Sequence, residues 1–311
     1  MSQISVIIVS WNARRHLRNC LASIRETGGS LVREIIVVDN ASSDGSPDMV
    51  AARFPEVKLV RESENLGFAR ANNLGMQHAC GSFLALLNSD VVVHPGCFEQ
   101  LIRVLESHSA VGLAGPRITG GDGRTQLTCR RFPTVWNHIC RALALDRALS
   151  RWSLFSGFEM RHWNYERQGE VEVLSGCFWL ARRLAVEQVG GLDGRFFFYA
   201  EDLDWCKRFR DLGWKVMFVA EATATHYGGG SSSNAPLRYS IEMLRANLAY
   251  WQKHYGFLGQ CVYRLLSLVY HFLRLVARIF AAAGGSTAPQ GKGKLKEHAV
   301  CVRWLLTGKG V

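Results

Sequence analysis

The sequence predicts an α/β fold in which helices flank both faces of a largely parallel sheet. Four short apolar runs, rich in β-branched residues, alternate with helical patterns in the first part of the chain. Runs with almost no polar interruption are typical of strands that are buried on both faces of a parallel sheet. Alternation of strand and helix is the pattern of a doubly wound layer. The chain has 311 residues, 48% hydrophobic and 20% charged, and can therefore bury such a core.

Local signals define the elements of the first half. The predicted strands are ISVIIVS (4–10), EIIVVD (34–39), VKLVRE (57–62) and FLALLN (83–88). The helical patterns between them are ARRHLRNCLASIRET, SPDMVAARF and FARANNLGMQHAC. Glycines at 28–29 and 81 follow two of these helices, which is where glycine commonly ends a helix.

The second half carries distinct motifs. VEVLSGCFWLARR (171–183) predicts a strand with a Ser-Gly-Cys bend, and WKVMFVAEATATH (214–226) predicts a further strand. Between them, four aromatic residues lead into the acidic start of a helix at 201–204. A loop rich in glycine and serine follows. We therefore expect one α/β domain over 1–235 and a helical, basic extension over 236–311.

Charge and cysteine content restrict the cellular setting. Residues 251–311 contain nine lysines and arginines and one acid, Glu297, so they carry +8 of the chain's net +11. A basic segment of this kind indicates an anionic partner. The nine cysteines include no C-x-x-C pair, which argues against a zinc site or a disulfide framework and favours reduced thiols in the cytoplasm. The N-terminus has the pattern of a strand and not that of a signal peptide.

Polar side chains end each predicted strand of the first half. They are Ser10 and Asn12, Asp39 and Asn40, Glu64 and Asn65, and Asn88 and Asp90. Ligands of open α/β sheets bind beyond the carboxyl ends of the strands, so a ligand site is expected there. SWNARRHL follows the first strand, where a dinucleotide-binding fold needs G-x-G-x-x-G, and no P-loop motif is present. These absences argue strongly against a nicotinamide or flavin enzyme and exclude a P-loop.

Four ordered segments resemble the inverting glycosyltransferases of family 2, particularly the rhamnosyltransferase-like branch. They are SVIIVSWN with IIVVDNASSDGS, then NLGFARANNLG, then LLNSD, and finally SGCFWLARR with GGLDGRFFFYAEDLDWCKR, and they span residues 4 to about 230. The resemblance implies the GT-A fold, a Rossmann-like mixed sheet flanked by helices. It also implies a nucleotide-diphosphate sugar donor, a divalent metal (Mg²⁺ or Mn²⁺), and transfer to an acceptor hydroxyl with inversion at the anomeric carbon.

LLNSD stands where the family carries its D-x-D motif, so the resemblance makes Asp90 a metal ligand. Mg²⁺ and Mn²⁺ prefer oxygen ligands, and a divalent ion neutralises the charge that develops on a diphosphate leaving group. Asn88 replaces the first aspartate of the motif and is expected to contact the donor's ribose or the metal. His226 stands where several relatives carry a metal-binding histidine, and an ordinary surface or packed histidine is the alternative.

The resemblance assigns donor binding to a further group. Asp39 matches the residue that binds the base or ribose, and Ser10, Trp11 and Asn12 are expected to form the facing wall. The residues expected to line the donor pocket or to permit close backbone approach are Asn65, Gly67, Asn73 and Gly176. Two assignments stay open. Asp44 would contact the donor or only cap the next helix, and Arg70 would reach a phosphate or be a solvated helix residue.

EDLD matches the family's E-D motif, whose aspartate accepts the proton of the acceptor hydroxyl, so the resemblance makes Asp202 the general base. Glu201 would orient Asp202 or hold the acceptor. Asp204 fits a structural role near a helix start, where negative charge is favourable. The aromatic run FFFY before the motif indicates a sheltered site.

The segment FLGQCVYRLLSLVYHFLRLVARIFAAA (257–283) predicts a helix with an unusually wide apolar face. Its polar side chains fall within one narrow arc at 100° per residue, and they are Gln260, Arg264, His271, Arg274 and Arg278. Because arginines interrupt the run, we expect an in-plane interfacial helix and not a spanning one. The basic GKGKLK stretch after it would attract anionic lipid. The alternative is a helix packed on the catalytic domain.

The tail predicts a peripheral protein on the inner face of the cytoplasmic membrane. The resemblance implies a glycan or lipid-linked glycan acceptor and a role in bacterial cell-surface polysaccharide or glycolipid synthesis. The loop at 228–235 is expected to become ordered when nucleotide binds, as active-site lids do. Two other functions stay open, a metal-dependent nucleotidyltransferase and a non-enzymatic nucleotide- or RNA-binding module. The module would explain the basic tail but not the carboxylates, and without an RNP-like or zinc-finger motif nucleic acid is not expected as a partner.

Overall fold

The computed structural model describes residues 3–155, 157–160, 163–228, 236–283 and 289–309. The chain divides into two compact units. Unit 1 comprises Met1–Phe132 and Trp163–Gly230, and unit 2 comprises Pro133–His162 and Ser231–Val311. Residues 133–162 therefore cluster with the C-terminal segment, although they precede the domain boundary expected at 235, which stays a prediction.

The strands and helices of the described residues are as follows. The strands are β1 (Ile4–Ser10), β2 (Val32–Asp39), β3 (Lys58–Arg61), β4 (Phe83–Asn88), β5 (Val91–Val93), β6 (Val111–Thr119), β7 (Cys129–Arg130), β8 (Gly169–Glu170), β9 (Val173–Leu174), β10 (Phe178–Arg182) and β11 (Lys215–His226). The helices are α1 (Arg14–Thr27), α2 (Ser46–Arg53), α3 (Gly67–Gln77), α4 (Cys97–Ser107), α5 (Val135–Ala142), α6 (Leu145–Ala148), α7 (Arg183–Val189), α8 (Glu201–Asp211), α9 (Pro236–Ala283) and α10 (Pro289–Thr307).

Unit 1 is built on one mixed sheet. Its strand order in the described residues is β3-β2-β1-β4-β10-β6-β11-β5, with β8 also paired to β11. Strands β3, β2, β1 and β4 are parallel. Strand β10 then runs antiparallel to both of its neighbours, and β11 is parallel to β6 and antiparallel to β5. The predicted mixed sheet flanked by helices is confirmed, and the carboxyl ends of β1, β2 and β4 lie at one edge.

Both faces of the central strands are buried, as their unbroken apolar runs predicted. On one face Val6 and Ile8 join an apolar cluster with residues of α1 and α4. On the other face Ile7 lies against α3 at Gly75, where an added Cβ would come within 2.4 Å of the Ile7 side chain. Glycine at this position therefore lets the helix backbone approach the sheet closely.

The predicted strand VEVLSGCFWLARR is two strands in the structure. Residues Val173–Leu174 pair with β7 in a small separate sheet, and Phe178–Arg182 enter the main sheet between β4 and β6. The bend between them is held by two hydrogen bonds, from the Ser175 N–H to the Thr128 carbonyl and from the Trp179 indole to the Leu174 carbonyl. The predicted Ser-Gly-Cys bend is a change of sheet because these contacts redirect the chain.

Unit 2 is helical in its described residues. Helix α9 contains a break at Gly256 (φ 69°, ψ −168°), so a separate straight segment begins at 257, where the predicted amphipathic helix begins. The basic GKGKLK stretch lies within helix α10. Among the described residues, no helix is long and apolar enough to cross a membrane.

Candidate active site

Two neighbouring strand ends leave buried polar atoms without a protein partner. Ser10 of β1 and Asp39 of β2 lie opposite each other in the parallel ladder. Both side chains are buried, and neither the Ser10 Oγ nor the Asp39 Oδ1 has a hydrogen-bond partner among the described residues. The other carboxylate oxygen of Asp39 accepts the Ser42 N–H at 3.0 Å, which fixes its orientation. Because unpaired buried polar atoms are costly, this pair indicates a ligand with its own donors and acceptors.

The facing wall is built from the segment after β1. Asn12 has a left-handed backbone conformation (φ 50°), and its side-chain oxygen accepts the Ser43 N–H at 2.8 Å. Its own N–H donates to the Ser42 Oγ at 2.9 Å. Trp11 beside it is partly exposed. Asn12 therefore ties the two loops that border Asp39, which is the placement that the sequence predicted for this wall.

Asp44 and Arg70 are both engaged in local structure. The Asp44 carboxylate accepts the N–H groups of Arg14 and Ser46 at 2.8 and 3.0 Å, at the start of α2. Burial acts to raise the pKa of Asp44, but the hydrogen bond from the Ser46 hydroxyl and the backbone donors outweigh it and lower that pKa. The Arg70 Nε donates to the Gly194 carbonyl at 3.2 Å. The contacts of Asp44 agree with a cap of the next helix, and a contact of either residue with the donor stays a prediction.

The NLG turn is held by the side chain of Asn40, the residue that follows β2. The Asn40 Nδ2 donates to the Asn65 Oδ1 at 2.8 Å, and the Asn40 Oδ1 accepts the Leu66 N–H at 2.8 Å. Gly67 has φ +78°, and a Cβ there would lie 2.6 Å from the Phe197 carbonyl oxygen and ring. The Phe68 N–H donates to that same carbonyl at 2.8 Å. Glycine is thus needed at position 67 to join the NLG turn to the aromatic segment that precedes α8.

Gly67→Ala should reduce the free energy of unfolding by roughly 2–5 kcal/mol, because a left-handed non-glycine residue costs about 1–2 kcal/mol and overpacking about 1–3 kcal/mol. Gly96→Ala is the matched control, since Gly96 has φ +79° but open space around its Cβ position. Gly96→Ala should therefore lower the free energy of unfolding only by the cost of the left-handed backbone, about 1–2 kcal/mol. Urea unfolding of the three proteins measures both effects, and equal losses in the two variants would show that the Phe197 contact is unimportant.

Asn73 is a positioning residue in the structure. Its Nδ2 donates to the Leu192 carbonyl at 2.7 Å and its Oδ1 accepts the Leu192 N–H at 2.8 Å. Both ends of the amide are therefore occupied by the GGLD segment. The predicted contact between Asn73 and the donor has no support in this geometry and stays a prediction.

Asn88, Asp90 and His226 come together beyond the end of β4. The His226 Nε2 lies 3.3 Å from the Asp90 Oδ1 and 3.3 Å from the Asn88 Nδ2. The second oxygen of Asp90 accepts the Gly228 N–H at 3.0 Å. Burial acts to raise the pKa of Asp90, but the hydrogen bond and charge of His226 outweigh it and hold that pKa below its ordinary value. Asp90 is therefore an ionised carboxylate at neutral pH.

Gln126 orients the histidine of this cluster. Its Oε1 lies 3.0 Å from the His226 Nδ1, and its Nε2 donates to the His226 carbonyl at 2.8 Å. With Nδ1 engaged in this way, the Nε2 faces Asp90. Metal-binding histidines commonly have such a partner on the second ring nitrogen.

The donor set fits a divalent cation that is shared with a substrate. No group of three or more His, Cys, Asp or Glu side chains in the described part of the chain could hold a metal alone. Asp90 and His226 supply one carboxylate oxygen and one imidazole nitrogen, 3.3 Å apart. Sites that use one or two protein ligands and complete the coordination with substrate phosphates are common for such ions. The predicted metal residues are therefore adjacent and insufficient by themselves.

The acidic motif begins helix α8. Glu201 and Asp202 are both buried in its first turn. The two residues before them, Tyr199 and Ala200, have φ of 74° and 63°. Left-handed conformations of non-glycine residues carry strain and are concentrated at functional sites. Two adjacent carboxylates are therefore held in the first turn of a helix that begins after a constrained backbone.

The two carboxylates differ in their partners. The Asp202 Oδ2 accepts from the Arg130 Nη1 at 3.2 Å, and its Oδ1 accepts the Leu203 N–H at 2.8 Å. The Glu201 Oε2 is buried and has no partner among the described residues. Burial and the neighbouring Asp202 raise the pKa of Glu201 well above its usual range. Asp202 is the carboxylate with a cationic partner, which suits a proton acceptor.

Asp204 has a structural role, as its position predicted. It is fully buried, and its Oδ2 accepts from the Arg208 Nε at 2.8 Å, one helical turn later. The same guanidinium donates to the carbonyls of Val189 and Gly191. Asp204 therefore anchors α8 to the segment before the aromatic run.

Cys177 lies within electrostatic reach of both the Asp90 cluster and Arg130. The pKa of its thiol is raised to about 12, chiefly by burial and also by Asp90, while a hydrogen bond with Ser175 and the charge of Arg130 act to lower it. The Cys177 carbonyl also accepts the Asn88 N–H at 2.9 Å. Gly176 beside it lies against the Trp179 ring, which a Cβ would approach to 3.1 Å. The Ser-Gly-Cys bend therefore runs between the two clusters, and Trp179 accounts for its glycine.

Sequence reasoning missed Arg130 and Gln126. Both belong to the segment 120–132, which has no periodic pattern, and their partners lie 72 and 100 residues further along the chain. The loop expected to act as a lid falls largely outside the described residues, since of 228–235 only Gly228 is described. A signal for Arg130 was available only in the charge of the adjacent pair Arg130 and Arg131, in a short run that is otherwise uncharged.

Comparison with known families identifies residues 5–190 as matching the model named glycosyl transferase family 2. A similar curated protein is the N-acetylglucosaminyl-diphospho-decaprenol L-rhamnosyltransferase of Mycobacterium tuberculosis, 29% identical over 248 residues. That match covers 75% of this chain and 78% of the relative.

Solved structures show the same fold at low sequence identity. The mannosyltransferase PcManGT of Pyrobaculum calidifontis, in complex with GDP-Man and Mn²⁺, is 17% identical with a TM-score of 0.59 over 99% of this chain and 88% of its own. GalNAc-T7 with UDP, GalNAc and Mn²⁺ is 16% identical with a TM-score of 0.57 over 74% of this chain and 44% of its own. Both neighbours were thus crystallised with Mn²⁺.

Proposed function

This chain belongs to glycosyl transferase family 2, and from that premise we propose that it moves a sugar from a nucleoside-diphosphate donor to an acceptor hydroxyl with inversion, using Asp202 as the base. The observation that carries the proposal is the grouping in unit 1 of three features. The first is the Ser10–Asp39 pair, in which one buried oxygen of each residue has no partner among the described residues. The others are the Asp90–His226 pair and Asp202 with its partner Arg130. Each would supply one requirement of sugar transfer. These are recognition of the nucleoside, neutralisation of the diphosphate charge and removal of the acceptor proton.

In the proposed reaction the acceptor oxygen forms a bond to the anomeric carbon while the bond from that carbon to the diphosphate breaks. The acceptor proton passes to the Asp202 carboxylate, and the electron pair of the broken bond stays with the nucleoside diphosphate. Attack from the face opposite the leaving group inverts the configuration. Ser10 and Asp39 would bind the nucleoside through the Ser10 Oγ and Asp39 Oδ1. Asn65 and Gly67 would shape the turn at the donor.

We propose that Asp90 and His226 hold a divalent ion and that Asn88 contacts it or the donor. Bound there, the ion would neutralise the charge that develops on the leaving diphosphate. An imidazole nitrogen is a softer ligand than Mg²⁺ prefers, so the His226 contribution favours Mn²⁺ over Mg²⁺. Gln126 would keep the His226 ring in the orientation that this contact requires.

We propose a glycan linked to a lipid diphosphate as the acceptor class and cell-surface glycan synthesis as the setting. The name of the mycobacterial relative, which specifies an N-acetylglucosaminyl-diphospho-decaprenol acceptor and L-rhamnose, supports this proposal. A deoxyhexosyl donor is accordingly the first to test.

The test is incubation of the full chain with Mn²⁺ and a panel of UDP-, GDP- and dTDP-sugars, with free nucleoside diphosphate as the readout. Slow hydrolysis of one donor and no turnover of nucleoside triphosphates is expected. Turnover of triphosphates with sugar phosphates would identify a nucleotidyltransferase instead. Binding of RNA without hydrolysis of any donor would favour a non-enzymatic module.

We also propose that unit 2 docks on a lipid surface at the inner face of the cytoplasmic membrane. Beyond Gly256, two side chains of the polar arc of α9 make contacts within unit 2. The His271 Nδ1 lies 3.0 Å from the His298 Nδ1 of α10, and the Arg274 Nη2 donates to the Arg141 carbonyl of α5 at 3.3 Å. Much of the wide apolar face of the helix is exposed.

The exposed face is a continuous apolar stripe. Leu258, Leu265, Phe272 and Phe280 recur at seven- or eight-residue intervals and are exposed by 77, 61, 54 and 73%. An exposed apolar patch of this extent marks an interaction surface. Lys294 and Lys296 of α10 are exposed in the same unit and supply positive charge. Apolar area together with basic charge is the combination that anionic lipid surfaces attract.

The double variant Leu265→Ser, Phe272→Ser should have an affinity for anionic vesicles lower by at least about 10²-fold, since burial of each side chain is worth about 1.5–3 kcal/mol. Co-sedimentation measures this affinity. Replacing Lys292, Lys294 and Lys296 with glutamine should remove roughly 3 kcal/mol, and only this effect should vanish at high salt. The control is Leu184→Ser, at an exposed leucine of unit 1. Vesicle binding that survives the serine pair unchanged would contradict the proposal.

A further inference from the structure

Arg130 is held in place by its neighbours in the chain. It lies in β7, paired with Val173 of β9. The preceding residue, Cys129, donates its N–H to the Tyr165 hydroxyl at 3.0 Å. Two residues later, the Phe132 N–H donates to the Glu172 carboxylate at 2.6 Å. The guanidinium of Arg130 is therefore presented from a backbone that is fixed on both sides.

The contact of Arg130 with the acidic motif is partly buried and is made with Asp202. The Nη1–Oδ2 distance to Asp202 is 3.2 Å, with the two side chains 30 and 11% exposed. Glu201, the adjacent carboxylate, has one buried oxygen without a partner among the described residues. Of the two, Asp202 therefore has the direct contact with the cation.

Two adjacent buried carboxylates do not readily ionise together, because burial and like charge both favour the neutral form. One member of such a pair keeps a proton, and the surroundings decide which one. The raised pKa of Glu201, caused by burial and then by the charge of Asp202, agrees with Glu201 as that member, although Arg130 partly opposes the shift. Close to Asp202 on the same helix, the Cys206 thiol is kept neutral, since burial raises its pKa to about 12.

We propose that Arg130 is a positioning residue which, through its contact with Asp202, makes Asp202 and not Glu201 the ionised carboxylate of the pair, and so selects the group that accepts the proton. The selection of the charged carboxylate rests on the contact between Arg130 and Asp202 and on the burial of both carboxylates. Its use in proton transfer rests on the proposed function.

Carboxyl-¹³C NMR of the full chain tests the charge selection without any substrate. Aspartate and glutamate are labelled at the carboxyl carbons, and Asp202→Asn and Glu201→Gln assign the two signals. Near neutral pH the Asp202 carbon should have the shift of a carboxylate and the Glu201 carbon that of a carboxylic acid. The reverse distribution in the unmodified protein would overturn the proposal, whatever the variants do.

Arg130→Gln should move the first ionisation of the pair to higher pH by at least about one unit, because an opposite charge at this distance typically stabilises a carboxylate by one to three units. Arg130→Lys keeps the charge and should restore part of the shift. Arg124→Gln, at an arginine of the preceding loop that is 89% exposed, is the matched control and should change nothing. An unchanged first ionisation in folded Arg130→Gln would overturn the proposal.

The pH profile of donor turnover separates charge selection from a structural defect. Arg130→Gln should move the acidic limb of the pH–rate profile to higher pH by the same shift of at least about one unit and should recover the rate above that limb, because the pair then ionises without the cation. A loss that is constant across pH would contradict the proposal. If no donor is turned over, the proposed function fails, while the NMR result still decides the role of Arg130.

Discussion

Asp90→Ala is expected to abolish metal-dependent donor binding and to lower turnover by roughly 10³-fold or more, because a metal ion at a leaving group supplies several kcal/mol of stabilisation in the transition state. Asp90 is the carboxylate nearest to His226, and its ionised form is favoured in the structure. Mn²⁺ binding, followed by electron paramagnetic resonance in the presence of nucleoside diphosphate, should be lost together with the rate.

The control for this variant is Asp48→Ala. Asp48 is a highly exposed carboxylate in the same unit, and its ion-pair partner among the described residues is Arg61. It should bind Mn²⁺ and turn over donor as the unmodified chain does. Circular dichroism should show that both variants are folded. Turnover of Asp90→Ala at the rate of the unmodified chain would remove Asp90 from the metal site.

Asp202→Asn is expected to lower turnover by at least about 10²-fold while donor binding persists. Asparagine keeps the shape of the side chain but cannot take up the acceptor proton, and removal of a general base costs this much in typical enzymes. The rate loss should therefore appear in kcat and not in donor affinity, measured by calorimetry with nucleoside diphosphate and Mn²⁺.

Asp211→Asn is the matched control for this substitution. It lies on the same helix and is half exposed, and within the described part of the chain it pairs with Lys207 one turn earlier. It should keep the full rate. If Asp202→Asn retained most of its turnover, the base would be another group, and Glu201 would be the first to test.

Much of the parallel half of the sheet could be predicted from the sequence. The predicted strands 4–10 and 83–88 have the same bounds in the structure, and β2 begins two residues before the predicted 34. Their apolar runs are local signals, and their polar ends met at one edge because parallel strands place their carboxyl ends together. The adjacency of Asn88, Asp90 and His226 followed from the motif that the resemblance supplied.

The features that local patterns could not predict depend on distant pairings. The segment at 171–183 became two strands because Thr128 and Trp179 redirect the bend. Arg130 and Gln126 reach their partners across 72 and 100 residues, distances for which sequence spacing has no signal. The polar arc of 257–283 was visible in the sequence, but the contacts of His271 with α10 and of Arg274 with α5 depend on pairings that local patterns cannot show.

The central claim is that this chain transfers sugar by attack opposite the leaving diphosphate, with Asp202 activating the nucleophile. The most direct test is ¹H NMR of the first sugar released when the full chain hydrolyses its donor with Mn²⁺, recorded before the free sugar equilibrates. Water then replaces the acceptor, so no acceptor needs to be known. The account predicts an anomeric configuration opposite to that of the donor, formed at least about 10²-fold more slowly by Asp202→Asn. Release of sugar with the donor's own configuration would contradict it.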